Sequence, residues 1–335
     1  MKDSFVTLFF LTLCIGITSC SKQNEKQQQS PIINNQNGMS TMESWFLSTG
    51  NWSKDPQIYV REFGTGTDTV VLLHGGWGAE HNGMIEMVRE LEKEYKFFAH
   101  EQRGSLRSPF PDSLITYKQH IEDVELLRRE LGVNKLKLLG HSMGAVLAGA
   151  YAQRYPEHVE KLVLVSPAYL KNPFPQQDTA LLKASQKAFK KFSQRGDVEQ
   201  ELRKNDLIKD VFSFSSKEET IKNRIDFATR MLHDVGKWHR LNNGKALYKG
   251  NVYGLTKDTY PKNGWNFIKE FKNKPYPVSI IMGDHDFLDM GNHINRKWAA
   301  EVPRANFASI EEAGHLPWID QPDNLSIAIR KGLNY

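Results

Sequence analysis

Cysteine is nearly absent from this chain of 335 residues: there are two, Cys14 and Cys20, both inside the first twenty positions. The remainder therefore has no disulfide framework, no Cys-based zinc site and no thiol nucleophile. Long apolar runs are also lacking. The run from Phe5 to Ile17 is shorter than the roughly 20 residues a membrane-crossing helix needs. A strong charge of one sign is missing too, and a net +5 is too mild to indicate nucleic acid. No Walker phosphate loop, zinc-type Cys/His spacing or internal repeat occurs, which removes those function classes. What remains has ordinary globular composition, with 25% charged and 39% hydrophobic residues, so wholesale disorder is excluded.

The first segment reads MKDSFVTLFFLTLCIGITSCSKQ. Lys2, a short apolar run and small residues before Cys20 have the shape of a secretory signal. Ile17-Thr18-Ser19-Cys20 resembles a bacterial lipobox, in which cleavage leaves Cys20 as a lipidated first residue. A plain cleaved signal peptide is the alternative. The expectation is a signal over 1–19, a Gln/Asn-rich disordered tether over 20–43 and a folded domain over 44–335. Localisation would then be the bacterial cell envelope, periplasmic or surface-facing, with the membrane reached through the N-terminal lipid.

Beyond the tether, QIYVREF alternates, meets the turn GTGTD and leads into the apolar TVVLL, a pattern that predicts a hairpin feeding a buried strand. FFAHEQ, KLKLLG, KLVLVSP and VSIIMG are further short buried runs. TYKQHIEDVELLRRELG and MGAVLAGAYAQRYP between them have helical spacing. Strands alternating with helices predict an α/β fold with a mostly parallel, doubly wound sheet. The alternation stops after Pro167, and about 168–277 reads as a helical cap inserted into that domain. The insertion carries 22 Lys+Arg against 12 Asp+Glu, or +10, which leaves −5 elsewhere. Most of those lysines are a solvated surface, and a basic lid over an anionic substrate or membrane is the sharper alternative.

Gly140-His141-Ser142-Met143-Gly144 fits G-x-S-x-G, which chance supplies in about one chain in ten of this length. Its context gives it meaning, because a strand ends at Gly140 and a helix begins just past Ser142. Side chains at 140 or 144 would clash with the neighbouring strand and helix, and the turn exposes the Ser142 hydroxyl beside free helix N–H groups. A serine needs a base and an orienting carboxylate, expected in the order Ser, acid, His. GDHDFLD offers Asp284, Asp286 and Asp289. Asp286 is the chosen acid, with Asp284 the alternative. His315 in AGHLPW is the base, since His293 falls inside a predicted helix. The backbone N–H groups of Gly76, in HGGWG, and of Met143 form the expected oxyanion hole. Trp77 and His141 are the expected substrate contacts.

HGGWG, EQRGSLRS, GHSMGA, GDHD and AGHLPW together resemble the landmark motifs of the α/β-hydrolase superfamily. His100 to Ser108 is similar to the DQRG-x-G-x-S segment of its proline iminopeptidase-like branch, with Glu101 in place of Asp, Leu106 in place of Gly and, in HGGWG, Trp77 in place of Pro. The resemblance implies an aminopeptidase acting through an acyl-enzyme on small or short-peptide substrates, without metal or other cofactor and without a nucleic-acid partner. A carboxylesterase of small or anionic esters is the alternative, and a non-catalytic binding lipoprotein the third. That branch holds a substrate's free amine with cap carboxylates, and Glu199, Glu201, Glu218 and Glu219 are the available ones.

Overall fold

The computed structural model describes residues 43–241, 244 and 247–335. Signal, tether and Cys20 lie outside the described residues. Eight strands form the central sheet: β1 (Glu43–Ser48), β2 (Gln57–Phe63), β3 (Asp68–Leu73), β4 (Tyr95–His100), β5 (Leu136–His141), β6 (Val159–Val165), β9 (Val278–Gly283) and β10 (Ala305–Ile310). Their spatial order is β1-β2-β4-β3-β5-β6-β9-β10. From β4 to β10 every pairing is parallel, while β1 and β2 add an antiparallel edge. The inner strands β5 and β9 are buried at every position, as continuous apolar runs in a sheet covered on both faces must be.

The helices on the two faces are α1 (Asn82–Val88), α2 (Tyr117–Glu130), α3 (Met143–Arg154), α9 (His293–Ala300), α10 (Pro317–Asp320) and α11 (Pro322–Asn334). Local chemistry starts and places them. The Thr116 hydroxyl accepts from Gln119 N–H at the start of α2, and Asp289 accepts from the Ile294 and Asn295 N–H groups in the first turn of α9. The two faces carry separate apolar cores, one around Trp77, Tyr151 and Phe267, the other around Phe97, Met84 and Ile329.

The expected hairpin between QIYVREF and TVVLL does not form. β2 pairs with β1 and β4, and β4 lies between β2 and β3. The turn is responsible: Thr65 N–H donates to Glu92 O at 2.7 Å and Gly66 N–H to Tyr95 O at 3.3 Å. A Cβ on Gly66 would lie 2.1 Å from Glu94 O. The GTGTD segment is thus bonded to the approach of β4, which takes the place beside β2.

Between β6 and β9 lie β7 (Lys171–Asn172) and β8 (Trp265–Asn266), α4 (Thr179–Phe192), α5 (Gly196–Lys204), α6 (Ser216–Met231), α7 (Gly250–Asp258) and α8 (Phe267–Phe271). The strands β7 and β8 pair antiparallel and clasp the two ends of this segment together. A Ser215–Glu218 capping box starts α6. The return leg packs on the central domain: Lys249 N–H donates to Gly78 O at 2.9 Å, and Phe267 covers Gly149.

The chain leaves β3 for β4 on one side and then crosses to β5 on the other. Open α/β sheets place their sites outside the carboxyl ends of strands at such a reversal. HGGWG follows β3 and Ser142 follows β5, so both motifs are delivered to that point.

Candidate active site

Ser142 adopts φ 52° and ψ −115° between β5 and α3, a left-handed conformation that costs a non-glycine residue of order 1–3 kcal/mol. Its backbone is tied on both sides. The N–H donates to Val165 O at 3.1 Å, and the carbonyl accepts from Ala145 and Ala168 N–H, each at 3.1 Å. The flanking glycines are required by packing: a Cβ on Gly140 would lie 2.5 Å from Gly144 O, and one on Gly144 would lie 1.9 Å from Leu73 O.

His315, on the loop after β10, bonds Asp286 through Nδ1 to Oδ2 at 2.8 Å. Asp286 is fully buried, and its other oxygen accepts the Leu288 N–H at 2.9 Å, which fixes the carboxylate. Asp284 instead bonds His285 and the Ala313 N–H, and Asp289 serves α9. His293 is exposed at the start of α9. With Nδ1 held by a carboxylate, Nε2 is the nitrogen left for proton exchange. Ser142, His315 and Gly76 line one cavity of about 570 Å³. Gly76 has φ +66°, and Met143 is the first residue of α3, where an N–H has no partner within the helix. Met143 itself is not among the cavity-lining residues.

The two expected substrate contacts, Trp77 and His141, are placed differently. Trp77 is fully buried and absent from the cavity lining. Its Nε1–H donates to the Tyr260 hydroxyl at 2.7 Å, and its ring stacks on His120 at 4.6 Å. Gly78, the next residue, accepts the Lys249 N–H from the return leg of the insertion, the same leg that carries Tyr260. His141 touches the cavity, but its Nε2 faces the His315 carbonyl at 3.0 Å. An oxygen acceptor requires Nε2 to carry the proton. Burial first, and then the nearby His315, depress its pKa well below the ordinary value, so His141 is a neutral donor that holds the His315 backbone.

The segment after β4 supports the HGGWG turn. Gln102 N–H donates to His74 Nε2 at 3.0 Å, and its side-chain amide donates to His74 O at 2.7 Å. Burial lowers the His74 pKa to about 4, so this ring stays neutral and able to accept. Arg103 makes a two-pronged ion pair with buried Asp123. Glu101 bonds His81 Nδ1 at 2.8 Å and the Arg107 backbone N–H at 2.6 Å. Glu80, His81 and Glu101 stand close enough to share a cation, but the Arg107 guanidinium is there, 2.5 Å from Glu101 and 3.7 Å from Glu80.

The cap carboxylates do not line the cavity. Glu199 pairs with Arg203, Glu201 with Lys204 and Trp238, Glu218 with Lys209 and Ser215, and Glu219 is exposed. The carboxylates that do line it are Glu80 and Glu86, from α1 and its approach, together with Arg230 and Arg240 from the insertion. The sequence carries no local motif for any of these four. Among the described residues, no helix is long and apolar enough to cross a membrane.

Residues 68–322 match the model of the alpha/beta hydrolase fold family, and the chain belongs to that family. It is 35% identical over 129 residues to a proline iminopeptidase of Lactobacillus delbrueckii subsp. bulgaricus, covering 36% of this chain and only 42% of the relative's length. A proline iminopeptidase of Heyndrickxia coagulans matches at 24% identity over 283 residues, 82% of this chain and 92% of that one. Among solved structures, a thermophilic esterase from Thermogutta terrifontis superposes with a TM-score of 0.58 at 18% identity, over 87% of this chain and 98% of that one. The chain is thus similar to proline iminopeptidases in sequence and to an esterase in fold.

Proposed function

We propose, from the chain's place in the alpha/beta hydrolase fold family, that it is a serine hydrolase working through an acyl-enzyme, an aminopeptidase of the proline iminopeptidase type. The observation that carries this reading is the buried Asp286–His315 pair at 2.8 Å beside the same cavity as Ser142. In the proposed cycle the Ser142 Oγ attacks the carbonyl carbon as its proton passes to His315 Nε2. The N–H groups of Gly76 and Met143 hold the oxygen that gains charge. Asp286 stabilises the imidazolium, which then protonates the departing amine as the C–N bond breaks. Water, deprotonated by His315, attacks the Ser142 ester and releases the acyl product with Ser142 reprotonated.

Glu80 and Glu86 in the cavity wall favour a substrate with a free amine, which a carboxylate holds as an ammonium. A second reading, a carboxylesterase of small esters, is supported by the apolar part of the same wall, including Met84, Phe227, Leu316 and Ile319. A fluorophosphonate probe tests the nucleophile. Wild type is expected to label and Ser142→Ala to stay unlabelled, and equal labelling of both would remove the assignment. Prolyl and alanyl arylamides assayed beside short-chain aryl esters separate the two substrate readings.

We further propose, from the sequence alone, that Cys20 carries a lipid and that 20–43 tethers the enzyme to the cell-envelope membrane. Cys20→Ser is expected to move the protein out of the membrane fraction, and unchanged fractionation would count against the anchor.

A further inference from the structure

Two guanidinium groups line the cavity that holds Ser142 and His315: Arg230 in the last turn of α6, and Arg240 just beyond it. Among the described residues neither has a carboxylate ion-pair partner. Arg230 lies over the Phe287 ring, with Cζ 4.3 Å from the centroid. Arg240 spends one nitrogen on the Ile319 carbonyl at 2.8 Å. Phe287 in turn packs edge-on against the His315 ring, with centroids 4.8 Å apart. A charge-bearing fork held on an aromatic ring beside the expected base, without an ion-pair partner among the described residues, is a ready receptor for a carboxylate.

Position decides which part of a substrate carries that carboxylate. In acyl transfer the imidazolium protonates the departing group, so that group must pass next to His315. The two Phe287 contacts keep the His315 ring centre and the Arg230 Cζ no more than about 9 Å apart, within reach of two polar contacts and a small bridging group. A departing α-amino acid fits this span. Its nitrogen and carboxylate carbon are two bonds apart, roughly 2.5 Å. With a hydrogen bond of about 3 Å to His315 and a forked ion pair to Arg230, it reaches across a separation of up to that limit.

We infer that Arg230, assisted by Arg240, binds the free carboxylate of the departing residue, so that the enzyme prefers free dipeptides over substrates whose leaving side is uncharged. This rests on the aminopeptidase reading above. It also assigns a purpose to part of the positive charge of the insertion: two guanidiniums face the reaction while most lysines face solvent.

The test compares prolyl-alanine with prolyl-alaninamide, which differ only in the terminal charge, and adds a prolyl arylamide. For wild type the expected kcat/KM is about ten-fold higher on the free acid. In R230Q the acid-to-amide ratio falls to near one, R240Q lowers it in part, and R230K keeps part of it. A wild-type ratio of one or less overturns the inference, as does an R230Q enzyme that loses activity on acid and amide equally. Cleavage of the arylamide with a ratio of one means that the inference alone has failed. Cleavage of aryl esters but of no prolyl substrate means that the aminopeptidase reading has failed, and the inference with it.

Discussion

His141 Nε2 donates to the backbone carbonyl of His315 at 3.0 Å, and the two rings stand 4.8 Å apart. The residue before the expected nucleophile thus holds the residue expected to be its base. Trp318 closes the other side of the His141 ring, edge-on at 4.8 Å. Losing this donor frees the His315 loop without touching Asp286. His141→Ala is therefore expected to lower kcat by about 10- to 100-fold, the scale of a small misplacement of a catalytic group, while KM moves little. Fluorophosphonate labelling should slow in parallel. His141→Gln, which retains an N–H donor, should recover part of both rates. Equal kcat in wild type and His141→Ala would mean that the loop is held by other contacts.

Gly144 and Gly254 make opposite predictions for the same substitution. A Cβ at 144 meets the Leu73 carbonyl at 1.9 Å, a backbone atom of β3 that cannot rotate away. Gly144→Ala must therefore separate α3 from β3, at a cost of at least about 3 kcal/mol. At Gly254, inside α7, nothing lies within 4 Å of the added carbon. There alanine should stabilise by about 0.5–1 kcal/mol through helix propensity. Thermal melting of both variants checks the pair. A Gly144→Ala protein that melts with wild type would contradict the packed elbow.

The parts of the site readable in the sequence were those whose chemistry is local. Ser142 follows an apolar strand and precedes a helix pattern, and the loop holding Asp286 is recognisable for the same reason. Which of Asp284, Asp286 and Asp289 faces His315 depends on the loop path, and their partners in the structure differ accordingly. Parallel strands were legible as apolar runs, but the neighbour of β2 was not. An alternating strand followed by a glycine turn looks the same whether it pairs with the next strand or the one after. Glu80, Glu86, Arg230 and Arg240 were missed because they meet only when the cap folds over α1. Trp77 looked like a substrate contact by its place in HGGWG, yet its direction is set by Tyr260, 183 positions away.

Glu101 gives the fold a defined response to acid. Burial alone would raise its pKa, but the bonds from His81 and the Arg107 backbone outweigh that and bring it from 4.5 to about 2. A carboxyl with a depressed folded-state pKa stabilises fully above its unfolded value. That contribution is lost as pH falls through the folded one. Wild type should therefore exceed Glu101→Gln in stability by a constant margin above about pH 5, and the margin should shrink from pH 4.5 towards 2. Urea titrations of both proteins at pH 7, 5 and 4 measure it. A margin unchanged at pH 4 would place the stabilising interaction elsewhere.

Trp77 stands next to the expected oxyanion donor, so its burial makes a test that separates stability from recognition. Its Nε1–H is the donor to the Tyr260 hydroxyl, and its ring lies on His120, whose Nε2 meets Thr256 Oγ1 at 3.0 Å. Burial, and secondarily Arg103, depress the His120 pKa well below its ordinary value, so the stack is between two neutral rings. Trp77→Phe keeps an aromatic ring on His120 but leaves Tyr260 without its donor and the space of the lost pyrrole unfilled. The expected cost is about 1–3 kcal/mol, seen as a lower urea midpoint. Because Trp77 does not line the cavity, KM for the best substrate should stay within about two-fold of wild type. A ten-fold rise in KM with no loss of stability would return Trp77 to the substrate.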